Sequence, residues 1–450
     1  MKIIQVHPSG WGFCERGGKR TFTPWGCNYY DPFTGWSPRL WEQFDAGRVA
    51  GHFGHIRSIG GNVIRVFSTV MNLMDGPDKV SAAGLAKMER MLTLAGEHGL
   101  RVIWSGPSLW EGAPPWWNEL ATYECYARPD LIAAQQVAWR GLAHAMRGHP
   151  ALLAYELHNE PFAPWRPTPA VREAWTRWRA QHAPAAPADL PVPTEPLCLE
   201  WSVDFQRFRE HIAENYVRHM VAAIREADDT HLVTIGLHQK SAPFDWYPPD
   251  PYAAFNPHRL ADLVDYTSVH FYPHHVFHPN LYLDPNATKR GMTETLLHGR
   301  AVVRYMHAAG KPVVLEECGW YGGGPVFFVN REQPERTEAD QTAWCRGLVE
   351  ATRGDACGWL FWPYRDTPSS LDPSRRSGLF DAEGRLKDWG RAFAALAPKI
   401  TARIPVRKAG TCTLPLSWEK LVTDPGHIRR FRAAYLAAFK RGETVDFAPG

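Results

Sequence analysis

The sequence predicts an α/β protein, a (β/α)8 TIM barrel with long βα loops and a C-terminal extension. Three observations lead to this prediction. Short apolar runs typical of buried strands alternate with stretches whose apolar residues recur every three or four positions, the period of an amphipathic helix. Eight strand-like runs follow one another along the 450 residues, as repeated βα units require. No G-x-G-x-x-G follows the first run, which argues against a dinucleotide-binding, doubly wound sheet.

The elements follow one another in a regular order along the chain. The eight strands are predicted at 23–29, 62–67, 101–105, 152–157, 231–236, 266–271, 312–317 and 358–362. Helices are predicted at 46–59, 83–98, 131–147, 203–227, 293–309, 339–352 and 389–396. Several of these helices are followed by glycine, which accepts the left-handed conformation that ends a helix; the glycines are Gly60, Gly61, Gly99, Gly310 and Gly354.

Two segments do not belong to a minimal barrel. We assign residues 1–398 to the barrel, with a small hairpin at 11–22 that plugs its bottom and an insertion at 162–199. The insertion is rich in Pro and Ala and leaves directly from the fourth strand, so we expect it to wall off one side of the mouth. Residues 399–450 form an extension with a helix at 427–441, which we expect to pack on the barrel.

Composition limits the classes of partner. Lys and Arg total 50 against 47 acidic residues, with no basic run or acidic tail, which argues against nucleic acid. No apolar run reaches 18 residues and the start lacks a leader-like stretch, so we expect no membrane partner and a cytoplasmic location. The eight cysteines form no C-x-x-C pair, which favours free thiols. No cofactor is predicted, and the oligomeric state is left open.

Two carboxylates at strand ends carry the functional prediction. Glu160 follows the fourth strand in Asn159-Glu160-Pro161, and Glu317 ends the seventh in Glu316-Glu317. Strand tips at one end of a parallel barrel are where its chemistry is placed. Two carboxylates facing each other there suit cleavage of a glycosidic bond, in which one protonates the leaving oxygen and the other attacks carbon or activates water.

The acidic pair Glu316-Glu317 raises a question of direction. Side chains alternate along a strand, so we expect only one of the two to point into the barrel mouth. The periodicity does not say which. The other is expected to form a salt bridge or hydrogen bond behind the site.

These motifs resemble glycoside hydrolase family 5, in the clan A (β/α)8 retaining glycosidases. N-E-P and E-x-G are similar to that family's acid/base and nucleophile motifs, and E-E-x-G resembles its mannanase-like branch, although Cys318 replaces the usual aromatic residue. The resemblance implies that Glu160 is the acid/base and Glu317 the nucleophile. It also implies a set of sugar-binding or supporting residues: Arg65, Asn159, His270, Tyr272 and Trp362.

Tryptophan is abundant, with 20 residues, and some could offer flat apolar faces to a sugar. Trp110, Trp116 and Trp117 follow the third strand. They either form a sugar-binding wall or pack the loop, and the sequence leaves both open.

The resemblance implies a retaining β-glycosidase acting on short β-linked oligosaccharides by double displacement, with an exo-acting β-mannosidase as the first choice. Endo-β-mannanase, β-glucosidase and exo-glucanase activities are the alternatives within the class. A metal-dependent hydrolase is a second class, because imidazoles at one strand end can bind zinc; these are His270, His274, His275 and His278. A third class is a non-catalytic carbohydrate-binding barrel, which would require the loss of one acid.

Overall fold

The computed structural model describes most of the chain. The described residues are 1–18, 20–108, 113–117, 124–190, 202–246, 252–272, 288–320, 324–326, 329–333, 335–401 and 409–449. Four residues named above lie outside them, namely Trp110, His274, His275 and His278.

Eight parallel strands close into a barrel, which confirms the predicted (β/α)8 fold. Each strand pairs with its neighbours in the chain, and the last pairs with the first. In chain order they are β1 Trp25–Asn28, β2 Val63–Thr69, β3 Arg101–Ser108, β4 Leu152–Asn159, β5 Leu232–His238, β6 Thr267–Phe271, β7 Val313–Cys318 and β8 Gly358–Phe361. β2, β3 and β4 continue past their predicted ends because the polar residues there still pair with a neighbouring strand.

Helices surround the barrel and lie close to their predicted positions, except for the single-turn helix Pro257–Leu260, which the sequence did not predict. They are α1 Ala46–Ser58, α2 Ala82–Glu97, α3 Pro129–Met146, α4 Ser202–Arg225, α5 Pro257–Leu260, α6 Thr288–His307, α7 Glu338–Thr352 and α8 Asp388–Ile400. Side chains cap several of them: Asp45 accepts from the Arg48 amide, and Thr337 forms a capping box with Asp340, which satisfies amides that a helix leaves unpaired. No helix among the described residues is long and apolar enough to span a membrane.

The end of the barrel opposite the strand tips is filled by the N-terminal segment. Antiparallel strands at Ile4–Val6, Phe13–Glu15 and Thr21–Phe22 make a three-stranded sheet, where the sequence predicted a two-stranded hairpin. Ile4 and Phe13 are buried against the first interior residues of the barrel strands, including Val63 and Val314. This end of the barrel is therefore closed by apolar side chains, and the polar residues of the barrel interior lie towards the other end.

The segment after β4 contains a helix that the sequence did not predict, Pro169–His182. The helix begins with Pro169 at its first position and with Thr168 as its N-cap, both of which favour a helix N-terminus. The sequence did not predict it because the surrounding segment is rich in proline. Trp175 packs edge-on against Phe208 of α4, on the outer face of the barrel. Whether the insertion walls off the mouth stays a prediction, since 191–201 lie outside the described residues.

The C-terminal extension contacts the outside of the barrel. Its helices are α9 Trp418–Thr423 and α10 Pro425–Lys440, and its strands Cys412–Leu416 and Val445–Pro449 pair in parallel. The indole of Trp418 donates to Glu210 of α4 at 2.8 Å, and Arg304 of α6 binds Asp446. The domain boundary at 398/399 stays a prediction.

Candidate active site

Two β-bulges shape the tips of the strands that carry the acids. In β4, Thr234 pairs with Glu156 but Gly236 pairs with Asn159, so one extra residue is inserted. In β7, Val269 pairs with Leu315 but His270 pairs with Glu317. A bulge interrupts the alternation of side chains. Each strand therefore places a second polar residue in the barrel interior directly above the first.

The bulge in β7 corrects the prediction that only one acid of Glu316-Glu317 faces inward. Glu316 is fully buried and accepts a hydrogen bond from the Tyr266 hydroxyl inside the barrel. Glu317 lies one level higher, at the mouth, and is 7% exposed. Strict alternation fails here because Glu316 is the extra residue of the bulge.

Arg65 of β2 stands at the centre of the site and is fully buried. Its Nε and Nη2 bind both oxygens of Glu156 at 2.6 Å, and its Nη1 binds Glu317 Oε2 at 2.7 Å. The side-chain oxygens of Asn28 and Asn159 accept its remaining hydrogens at 2.8 and 2.6 Å. Burial disfavours the charged guanidinium, but the carboxylates, Glu156 first, outweigh burial and raise the pKa of Arg65 above its ordinary value.

Glu317 is held in place from both sides. Arg65 binds Oε2, and the Tyr272 hydroxyl donates to Oε1 at 2.7 Å. Burial raises the pKa of Glu317 above its ordinary value. His270, Arg65 and the Tyr272 hydrogen bond act in the opposite direction. The result is a fixed, desolvated carboxylate with a donor on each oxygen.

Glu160 occupies a strained backbone position at the tip of β4. Its φ is +48°, a conformation that a non-glycine residue adopts at a cost of about 1–3 kcal/mol and that clusters at functional sites. Its amide donates to the Gly236 carbonyl at 2.9 Å. The side chain keeps 16% of its surface accessible; protein encloses the rest, and this desolvation raises the pKa of Glu160 to about 7.

His270 lies between the two acids. Its Nδ1 is 3.2 Å from Glu160 Oε1 and 3.5 Å from Glu317 Oε2. Burial lowers the pKa of His270 to about 4, so the ring is neutral near pH 7. One oxygen from each carboxylate and one ring nitrogen lie within 4.8 Å of one another. The predicted pair Glu160 and Glu317 is thus brought together.

Aromatic side chains line the site next to β8. Trp362 directly follows that strand, donates through Nε1 to Ser374 Oγ at 2.8 Å, and packs against Trp36, Tyr30 and Phe67. Trp362 is 7% exposed. For the tryptophans after β3, Trp117 is buried and contacts Trp116 edge-on, which fits loop packing, while Trp110 lies outside the described residues.

Several residues of the site were missed by sequence reasoning. Glu156 and Ser105 contact each other at 2.7 Å beneath the mouth, Asn28 holds Arg65, and Gln239 accepts from the Tyr272 amide at 2.8 Å. Glu156 carried a readable signal, because it is the single acid inside the apolar run 152–157. Asn28 gave a weaker one, as a polar residue at the end of the first predicted strand.

Two groups of side chains are close enough to approach one cation. Glu160, His270 and Glu317 form one group, and Glu156, His270 and Glu316 form the other. In both, the guanidinium of Arg65 already contacts a carboxylate. A metal ion would have to compete with that arginine for these oxygens, so the residues suit acid–base and nucleophilic chemistry better than metal ligation.

The family model for cellulase (glycosyl hydrolase family 5) matches residues 47–367. The chain belongs to glycosyl hydrolase family 5. It is therefore a glycoside hydrolase, as the motifs at β4 and β7 predicted. No curated protein sequence matches the chain.

Solved structures share the fold at low sequence identity. An exo-beta-1,4-mannosidase, Op5Man5 from Opitutaceae bacterium strain TAV5, is 22% identical with a TM-score of 0.69, covering 100% of this chain and 72% of that one. A GH5_18 protein from Streptomyces cattleya in complex with GlcNAc is 19% identical with a TM-score of 0.69, covering 95% and 94%. A beta-galactosidase from the haloarchaeon Halorubrum lacusprofundi is 16% identical with a TM-score of 0.72, covering 94% and 66%.

Proposed function

We propose that this family 5 enzyme is a retaining, exo-acting β-mannosidase of short β-linked oligosaccharides. The observation that carries the retaining mechanism is the approach of the two acids: an oxygen of Glu160 and an oxygen of Glu317 lie within 4.8 Å. Retaining enzymes place their carboxyl groups about 5–5.5 Å apart, whereas inverting enzymes leave about 6.5–9.5 Å for a water.

The environments of the two acids support different roles. Glu160, with a pKa of about 7, keeps its proton near neutral pH and donates it to the leaving oxygen. Glu317, held by Arg65 and Tyr272, attacks the anomeric carbon and forms a glycosyl ester. Glu160 then takes a proton from water, which displaces Glu317 and restores both groups.

The choice of mannose and of exo action depends on two supports. The structural neighbours include an enzyme named an exo-beta-1,4-mannosidase and a GH5_18 variant from Streptomyces cattleya in complex with Manb1-4GlcNAc. The E-E-x-G motif at β7 also resembles the mannanase-like branch. We extend these to this chain as a hypothesis about the glycone.

The test is hydrolysis of 4-nitrophenyl β-glycosides of mannose, glucose, galactose, xylose and fucose, together with β-1,4-linked mannobiose. Wild type is compared with Glu160→Ala, Glu317→Ala and the neighbouring-acid control Glu316→Gln, with and without EDTA. We expect activity on the mannosides only, indifferent to EDTA, lost in both alanine variants and kept in the control. Activity that EDTA abolishes would favour the metal-dependent alternative, and a preference for another sugar would reject the mannosidase assignment.

Azide separates the two roles. Added to Glu160→Ala, it replaces water at the glycosyl ester, so the expected product is the β-glycosyl azide. Added to Glu317→Ala, it attacks from the vacated side, so the expected product is the α-azide. The reverse pattern, or an α-anomer as the first product of the wild type by NMR, would contradict the double displacement.

A further inference from the structure

A second pair of acids lies directly beneath the first, and the proposed reaction does not use it. We infer that Glu156 is a positioning residue whose permanent negative charge shares Arg65 with Glu317 and sets the pH range of the site, whereas Glu316 is a neutral carboxylic acid. The inference deepens the proposed function, since it assigns how the charge on the two reacting acids is controlled.

The contacts of Glu156 are those of an ionised carboxylate. Both oxygens bind Arg65 at 2.6 Å, and Oε1 also accepts from Ser105 Oγ at 2.7 Å. Gly236 makes room for this carboxylate, because a Cβ there would stand 2.5 Å from Oε1. A bidentate guanidinium pair plus a hydroxyl donor satisfies a buried anion.

The contacts of Glu316 are those of a neutral acid. Oε1 accepts from the Tyr266 hydroxyl, and the nearest cation, Arg65 Nε, is 3.9 Å away from Oε2. Within the described part of the chain, Oε2 is buried without a hydrogen-bond partner of ordinary geometry. Burial first, and then the interaction with Glu156, raise the pKa of Glu316 well above its ordinary value. A charged oxygen left in that state would carry the full cost of desolvation, so the proton belongs on Glu316.

This distribution leaves one guanidinium for two anions, Glu156 and Glu317. When Glu317 forms the bond to the anomeric carbon, Glu160 gives its proton to the leaving oxygen, so the negative charge passes from Glu317 to Glu160. Of the two anions that bound Arg65, only Glu156 then keeps its charge. Glu156 thereby keeps Arg65 from over-stabilising the free carboxylate of Glu317, which would weaken it as a nucleophile.

Other charged or titratable groups also face these acids. β6 contributes His270, and Tyr266 lies immediately before that strand. β7 contributes Glu316 and Glu317. Lys240, in the turn after β5, acts on Glu160 in the direction opposite to Glu156. His158 shares β4 with Glu156, but its ring contacts Tyr126 behind the strand. None of them touches Glu156 with the bidentate geometry of Arg65.

The experiment measures the ionisation of Glu160 directly, without requiring turnover. Protein labelled with ¹³C at the Glu side-chain carboxyl is titrated by NMR, and the Glu160 resonance is assigned by its absence in Glu160→Gln. Because an anion raises the pKa of a nearby acid, the midpoint of Glu160 is expected to fall by about one pH unit in Glu156→Gln. It is expected to stay within about 0.2 unit in Glu316→Gln, since one neutral group replaces another.

The matched control is Asp355→Asn, which removes the buried carboxylate partner of Arg304 on the outer face of the barrel. It breaks an ion pair of the same kind far from the site and is expected to leave the Glu160 midpoint unchanged. On the glycoside that wild type hydrolyses, both limbs of the kcat/KM profile are expected to move to lower pH in Glu156→Gln only, with about a tenfold loss at the optimum.

An unmoved midpoint in Glu156→Gln, or an equal shift in Glu316→Gln, overturns the inference whether or not a substrate has been found. If Glu156→Gln does not fold, Ser105→Ala removes a donor from Glu156 and keeps its charge. The less-screened anion is then expected to raise the midpoint of Glu160, and a fall would overturn the inference. Absence of glycosidase activity in the wild type would instead refute the proposed function alone.

Discussion

The hydroxyl of Tyr272 is expected to determine the acid limb of the pH–rate profile. It donates to Glu317 Oε1 over 2.7 Å in a buried site, and it lowers the pKa of that carboxyl against the rise that burial causes. A hydrogen bond to a charged group contributes about 1.5–3 kcal/mol. Removing it in Tyr272→Phe should raise the pKa of Glu317 further, so the acid limb moves to higher pH.

The assay is kcat/KM against pH between about 4 and 9, because the limbs of this profile report the free enzyme. Tyr266→Phe is the matched control, since it removes a buried hydroxyl that donates to the neighbouring acid Glu316. It is expected to leave the acid limb in place. An acid limb that is unmoved or shifted to lower pH in Tyr272→Phe would show that the hydroxyl does not stabilise the ionised nucleophile.

Two further predictions concern stability. Glu160 has a folded-state pKa of about 7 against an ordinary 4.5. The folded state therefore binds this proton more tightly than the unfolded state, and the stability that the protonated side chain contributes is lost as pH rises from about 4.5 to about 7. Glu160→Gln should therefore unfold like wild type at pH 4 but be more stable at pH 8 by about 3 kcal/mol. Chemical denaturation at both pH values checks this, and a pH-independent difference would contradict it. Gly236→Ala places a Cβ 2.5 Å from Glu156 Oε1 and should cost about 1–3 kcal/mol. Gly51→Ala in helix α1, where a Cβ meets no atom within 4 Å, should be neutral or slightly stabilising. Thermal melts of both variants check this, and equal effects would refute the steric explanation.

The sequence was sufficient for the architecture because apolar periodicity is a local property. Each barrel strand and all eight predicted helices, including the one in the C-terminal extension, lie within a few residues of their expected positions. The helix Pro169–His182 was missed because its buried face is a few residues of an otherwise Pro-rich segment. Its stability comes from packing on α4, which is information that the local sequence does not contain.

The sequence identified the site residues that belong to a recognisable motif. It did not identify those whose position depends on a β-bulge or on a contact inside the barrel. Arg65 and Tyr272 were expected beside Glu317, and both contact it. That Glu317 faces inward together with Glu316 depends on which residue of β7 lacks a partner on β6, and register irregularities of that kind depend on the neighbouring strand. The role of Glu156 could not be predicted from the sequence, because it depends on the contact with Arg65 inside the barrel.

The position of Arg65 also has a consequence for how the chain acquires its activity. Its hydrogen bonds join residues that are 37, 94 and 252 positions apart in the chain. Such contacts form late, because the entropy of closing long loops must be overcome first. During refolding, helical content should return before hydrolysis does, so the appearance of product reports the moment at which β1 and β8 meet and the ring of strands is complete.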